Sequence, residues 1–206
     1  MLKESIESLL PTLKNKNVEI IIHDDGSDND VKSYIFDLVK QKKVSFAIFN
    51  AGNNLGIGEA IQKCLKLSSG EFLFKADADI IYKEKWLENA ISVLNSDRVG
   101  AVSLFNYRNY NREDNRFNIL HSTNNYHVVD DFVSSIYGFK RKRLDEFGYP
   151  GTDGWHQVVG KKYNLAITKD DYVANIGFGL GNSVWVVQKK DGTISSATIH
   201  EEPLMF

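Results

Sequence analysis

Apolar residues in the first half of the chain fall into four short runs: VEIIIH (18–23), VSFAIF (44–49), EFLFKA (71–76) and VGAVSLF (99–105). Each is rich in branched or aromatic side chains. Each stops at a polar stretch: DDGSDND, NAGNN, DAD and NYRNYN respectively. Short continuous runs bounded by turn chemistry predict strands buried on both faces. Between them the apolar positions change period. Val31, Tyr34, Ile35, Leu38 and Val39 lie at helical spacing, as do Ile57, Ile61 and Leu65, and then Trp86, Leu87, Ile91 and Leu94. The runs begin at 18, 44, 71 and 99, about one βαβ unit apart. The first half therefore predicts an α/β fold with an open, mostly parallel central sheet flanked by helices.

The second half is less regular. Residues 106–127 are rich in Asn and Arg and predict a long loop. DDFVSSIYGFK reads as a strand, RKRLDEFG as a short helix, and TDGWHQVVGKKYN as a turn entering another. SVWVVQKKDGTISSATIH has the alternation of a hairpin, with KKDG as its turn.

With 206 residues the chain has enough material for one core, and a single domain is the expectation. A formal net charge of −2 gives no reason to expect a nucleic-acid partner. The lone cysteine, Cys64, allows no internal disulfide and suits a reducing compartment. No apolar run approaches the ~18 residues of a membrane span. A soluble, cytoplasmic protein is the expectation, with no transmembrane segment.

Ligands of open α/β sheets bind beyond the carboxyl ends of the strands. Here that edge collects Asp24 and Asp25 after the first run, Asn50, Asn53, Asn54 and Gly56 after the second, Asp77 and Asp79 after the third, and Asn106 after the fourth. Clustered carboxylates repel one another unless something positive joins them. A hard divalent cation, Mg²⁺ or Mn²⁺, takes carboxylate oxygens and meets that need. No phosphate-cradling loop ending in Lys-Ser/Thr is present, so a bound diphosphate would be neutralised through the metal. Taken singly, each motif has a plainer reading. DDGSDND could be a turn that caps a helix, and NNLG could be turn chemistry alone.

The three motifs in this order resemble glycosyltransferase family 2, whose members have the GT-A fold. The matching segments are IIIHDDGSDND, NAGNNLGIGEAIQKCL and SSGEFLFKADADII followed by WLENAISVL. The resemblance runs from about residue 2 to 105, and more loosely to about 180. It implies one GT-A-like domain, with residues 1–105 binding the nucleotide sugar and 106–206 binding the acceptor. Asp25 would meet the base, with Asp24 shaping the turn. Asn54 and Gly56 would line the nucleotide. Asp77 would lie near the ribose and the metal, and Asp79 would be the main metal ligand.

The resemblance also implies an inverting transfer of one sugar from a UDP- or dTDP-linked donor to an acceptor hydroxyl, with Asp153 as general base. Asp153 could instead cap the WHQVV helix. Trp155 and His156 would face the acceptor; Trp155 could equally be core, and His156 could simply face solvent. The late His-x-Gly of the family reads Asn175 to Gly177 here, with His200 as a possible substitute.

Members of the family open on a strand of the type SVIIPTYN, whereas this sequence starts at the following helix. The resemblance thus predicts a gap in the sheet, to be filled by SSATIH or by a strand-donating partner or oligomer. That gap leaves an alternative function open, a catalytically inactive carbohydrate-binding or assembly module. A Mg²⁺-dependent phosphatase is disfavoured, because DDGS precedes DAD.

Overall fold

A computed structural model describes residues 1–50, 56–105, 117–151 and 154–175, together with the backbones of two later strands. Helix α1 (Leu2–Thr12) buries Ile6 and Leu9 and ends where Pro11 removes an N–H. Strand β1 (Ile21–Asp24) leads through the acidic turn into α2 (Asn29–Lys40), and β2 (Phe46–Phe49) into α3 (Ile57–Leu67). Strands β3 (Phe72–Ala76) and β4 (Ile80–Tyr82) flank the second acidic motif, ahead of α4 (Trp86–Leu94) and β5 (Val99–Ser103). The second half supplies β6 (Ile119–Ser122), β7 (Tyr126–Val129), β8 (Ile136–Lys140), α5 (Lys142–Phe147), α6 (Trp155–Gly160), β9 (Asn164–Thr168) and β10 (Val173–Asn175). A hairpin, β11 (Val184–Gln188) and β12 (Ile194–Thr198), follows.

The four first-half strands and the helices between them form where the hydrophobic pattern put them. The pairing differs from a simple parallel sheet. The main sheet has the order β3-β8-β5-β9-β7-β6. Strand β8 returns from the second half and lies antiparallel between β3 and β5. Direct parallel pairing occurs at β5–β9 and at β1–β2. The expected loop over 106–127 is overturned in its last third, where β6 and β7 form an antiparallel hairpin. Thr123 makes its turn, its hydroxyl accepting from the N–H groups of Asn125 and Tyr126.

Among the described residues β1 pairs with β2 alone, and β3 with β8 alone, so the sheet is divided where the gap was expected. At the amino ends of the two strands a side chain crosses the division. Glu19 accepts from the Ser69 N–H at 2.8 Å and from its hydroxyl at 2.6 Å. The hairpin β11–β12, which contains much of SSATIH, pairs within itself.

The core centres on β5, buried throughout, against Trp86, Leu87, Ala90, Val93 and Leu94 of α4 and the inner face of β9. Each such aliphatic or aromatic side chain contributes roughly 1.5–3 kcal/mol by leaving water. Helix α1 is pinned to this core by polar contacts. Trp86 Nε1 donates to Thr12 Oγ1 at 2.8 Å, and the Tyr82 N–H donates to Ser8 Oγ at 3.0 Å. No described helix is long and apolar enough to cross a membrane.

Candidate active site

The first acidic motif has two jobs. Asp28 caps α2, its carboxylate accepting from the Val31 N–H at 3.0 Å. Asp24 ends β1 almost fully buried; its Oδ1 accepts from the Ser27 N–H, and its Oδ2 is buried without a partner. Asp25 does neither. Its Oδ1 accepts from Asn50 Nδ2 at 2.7 Å, and its Oδ2 from the Gly56 N–H at 3.1 Å. It therefore ties the ends of β1 and β2 to the start of α3. Gly56 sits at φ +82°, where a side chain would be strained. Asn54 lies outside the described residues.

The second acidic motif lies between β3 and β4. Asp77 Oδ1 accepts from Lys75 Nζ at 2.6 Å, and the same ammonium donates to the Ser134 carbonyl at 2.7 Å. The Asp77 N–H donates to the Ser135 carbonyl at 2.9 Å, fixing the motif against the segment entering β8. Asp79 is different: its Oδ1 is buried and has no hydrogen-bond partner. A buried carboxylate oxygen without a donor is costly unless a cation or ligand completes it. Burial, and then the charges of Asp77 and Asp79, push the Tyr82 hydroxyl well above its ordinary pKa. Strand β10 brings Asn175 opposite Ile80, the residue after Asp79; Gly177 lies outside the described residues. His200 lies outside the described residues.

The acceptor-side residues divide. Trp155 is 4% exposed; its Nε1 donates to the Gly148 carbonyl, and its ring packs on Phe139 and Phe147. It anchors α6 in the core and is not a ring presented to a sugar. His156 is equally buried, stacks on Phe132 at 4.2 Å and pairs through Nε2 with Asp131 Oδ1 at 2.7 Å. Gln157 Nε2 holds the other Asp131 oxygen at 2.8 Å. His156 is thus a positioned partner of Asp131, and Asp131 keeps about a third of its side chain exposed. Asp153 lies outside the described residues.

Contacts relate some of these groups to one another. A Cβ built on Gly58, in the first turn of α3, would lie 2.7 Å from the carbonyl carbon of Gly151 and nearer still to its oxygen. The start of α3, tied to Asp25 through Gly56, therefore abuts the chain just ahead of α6. Helix α6 reaches Asp131 through His156, and three residues on, Ser134 meets Lys75. These contacts link the first acidic motif to the entrance of α6, and the segment after Asp131 to the second acidic motif.

The chain matches the profile of Glycosyl transferase family 2 over residues 1–164. It belongs to that family. It is 28% identical over 116 residues to glycosyltransferase GlyG of Streptococcus pneumoniae serotype 4, covering 56% of this chain and 38% of that protein. It is 30% identical over 103 residues to an uncharacterized glycosyltransferase of Haemophilus influenzae, covering 50% and 31%. The family 2 chain thus spans less than half the length of these curated relatives.

Among solved structures it resembles the mannosyltransferase PcManGT of Pyrobaculum calidifontis, in complex with GDP-Man and Mn²⁺. That TM-score is 0.60 at 17% identity, over 83% of this chain and 54% of that one. It also resembles Staphylococcus aureus TarS, with a TM-score of 0.58 at 15% identity over 84% and 56%. These likenesses establish the GT-A fold.

Sequence reasoning missed Lys75, Asp131 and Tyr82. Lys75 was legible as the charge interrupting an otherwise apolar strand. Asp131 and Tyr82 carried no signal, since their importance depends on strands β4 and β7.

Proposed function

We propose that this chain is the donor-binding and catalytic part of a metal-dependent, inverting glycosyltransferase that moves one sugar from a UDP- or dTDP-linked donor to an acceptor hydroxyl. On this reading residues 1–105 form the donor half and 106–206 the acceptor half of one domain. The orphaned, buried Oδ1 of Asp79 carries the reading, because it is a ligand position already desolvated and aimed at nothing in the protein. The residues present fit a divalent cation in part. Among the described residues no three His, Cys, Asp or Glu come together as a preformed metal cluster. Asp79, with Asp77 beside it, would hold Mn²⁺ or Mg²⁺ only together with donor phosphates, which suits a cation that keeps several non-protein ligands.

When bound, the cation supplies positive charge to the departing nucleoside diphosphate. The chain supplies the rest. Asp25, held by Asn50 and Gly56, orients the base by accepting a further hydrogen bond. Asp24 shapes the turn, and Asn54 and Gly56 line the nucleotide. Asp153 takes the proton of the acceptor hydroxyl as that oxygen attacks the anomeric carbon from the face opposite the leaving group, inverting the centre. His156 acts through Asp131, which offers an exposed oxygen edge to an acceptor hydroxyl. The lone Cys64 suits a reducing, cytoplasmic setting.

A thermal-shift titration with UDP and dTDP, with and without Mn²⁺, tests the reading, because a ligand of the native state raises the apparent stability. The expected shift requires nucleotide and Mn²⁺ together and disappears in Asp79→Ala. Asp153→Asn should keep that shift and lose transfer. Nucleotide binding indifferent to both Mn²⁺ and Asp79 would end it. A second reading, an inactive carbohydrate-binding or assembly module, is favoured by the divided sheet. The edges of β1 and β3 that pair with no strand among the described residues are where a strand-donating partner would dock. Sugar binding with no metal requirement and no turnover would select that reading.

A further inference from the structure

We propose that the acceptor is a pyranoside, and that its apolar face stacks on the ring of Tyr149. This rests on the glycosyl-transfer reading above and deepens it by naming the class of acceptor. It moves the sugar platform expected at Trp155 to a ring six residues earlier in the chain.

The backbone around Tyr149 is held on both sides. Gly148 ends α5 at φ +72°, a conformation glycine adopts without strain, and its N–H donates to the Leu144 carbonyl at 2.9 Å. The Gly148 carbonyl accepts from the buried Trp155 Nε1 at 3.1 Å. On the other side Pro150 is buried, and the bulk of a proline ring confines the residue before it to extended backbone. Gly151 then lies against Gly58 in the first turn of α3. Trp155 is thus the anchor from which Tyr149 is presented. The Tyr149 side chain has the opposite character. It is 45% exposed, and among the described residues its ring packs on no other aromatic and its hydroxyl makes no hydrogen bond.

The place of this ring points to its ligand. Residues 149–151 abut the start of α3, which Asp25 ties down through the Gly56 N–H. Asp153, the proposed general base, follows Tyr149 by four residues. Ile57, next to Gly58, is 42% exposed, so both elements that meet here carry exposed apolar surface. A pyranose ring has a face of C–H groups, with its hydroxyls around the edge. Stacked on an aromatic ring, that face and the ring both leave water, and the hydroxyls stay free for hydrogen bonds and for attack. A tyrosine on a fixed backbone has only two side-chain torsions to immobilise, so little freedom is lost. An acyclic alcohol or a polypeptide hydroxyl offers no such face.

The test titrates methyl pyranosides of glucose, galactose, mannose and N-acetylglucosamine onto the intact chain with UDP and diamagnetic Mg²⁺, and follows the sugar C–H protons by NMR. Glycerol is the acyclic control. At least one pyranoside should bind with its ring C–H resonances moved upfield, the signature of protons lying over an aromatic face, and glycerol should not bind. Tyr149→Ala should weaken that binding by about tenfold and abolish the upfield shift. Tyr149→Phe, which keeps the ring, should retain the shift and bind within about twofold of the parent.

Pyranoside binding as tight in Tyr149→Ala as in the parent would overturn the proposal. So would the absence of pyranoside binding to the parent, or glycerol binding as tightly as the sugars. A Tyr149→Phe chain as weak as Tyr149→Ala would put the contact in the hydroxyl and overturn the stacking. If Tyr149→Ala fails to fold, nuclear Overhauser contacts between the Tyr149 ring and the sugar in the parent chain decide the matter, and their absence counts against the proposal. Failure of the broader reading looks different: the thermal shift that requires UDP and Mn²⁺ together would be missing from the parent chain, whatever the sugars do.

Discussion

Replacing Gly58 by alanine sets two effects of opposite sign against each other. Gly58 lies in the first turn of α3, and alanine in a helix is favoured over glycine by about 1 kcal/mol. On propensity alone the variant should be more stable. The added methyl, however, would meet the carbonyl carbon of Gly151 at 2.7 Å and its oxygen more closely still. Both partners are backbone, so neither can rotate away, and relief requires moving α3 or the segment before α6 by roughly an ångström. Overpacking of this kind costs about 1–3 kcal/mol.

The steric effect should therefore win, with a net loss near 1 kcal/mol and a fall in Tm of roughly 2–4 °C for a chain of this size. The functional loss should be larger. The displaced element joins the Asp25–Gly56 anchor to the entrance of α6, and a 1 Å misplacement of reacting groups costs about 100-fold in rate. Urea unfolding and steady-state transfer with a saturating donor measure the two quantities separately. A Gly58→Ala protein that is as stable and as active as the parent would show that α3 and the Gly151 segment do not touch.

Thr12→Val keeps shape but removes the acceptor of the buried Trp86 Nε1–H; the orphaned donor should cost about 1–3 kcal/mol in urea melts, and an unchanged midpoint would mean that α1 is held by apolar contact alone. The hydrogen bond and charge of Lys162, followed by the Tyr163 hydroxyl, hold the Glu146 carboxyl below its usual pKa. A depressed carboxyl contributes stability above its unfolded pKa and loses it as pH falls through the folded value. Stability measured by denaturant titration should therefore fall more steeply with acidification in the parent than in Glu146→Gln, and parallel curves would remove that carboxyl from the acid response.

The first-half strands were legible because buried strands read as unbroken apolar runs; VGAVSLF became β5, buried at every residue. Edge and outer strands lacked that signal. Strand β6 exposes three of its four residues, so ILHS reads as polar loop. Strands β4 and β10 are three residues each and owe their existence to pairing with one another, which local pattern does not encode. The acidic motifs were legible from residue type and order. Their internal wiring was not, since the Lys75–Asp77 pair and the Asp131–His156 pair depend on distant strands arriving beside β3 and α6. The burial of Trp155 was one of two readings open to the sequence, and Phe139 and Phe147 decide it.

The division between β1–β2 and the six-stranded sheet would make a donor bound as proposed a structural member. Asp25 lies in the turn leaving the smaller sheet and Asp79 in the turn leaving the larger one. With no backbone ladder described between them, a molecule whose base meets one and whose phosphates meet the other would act as mortar between two blocks. Part of its intrinsic affinity would then be consumed in seating those blocks, and filling the cleft would raise the cooperativity of unfolding as well as its midpoint.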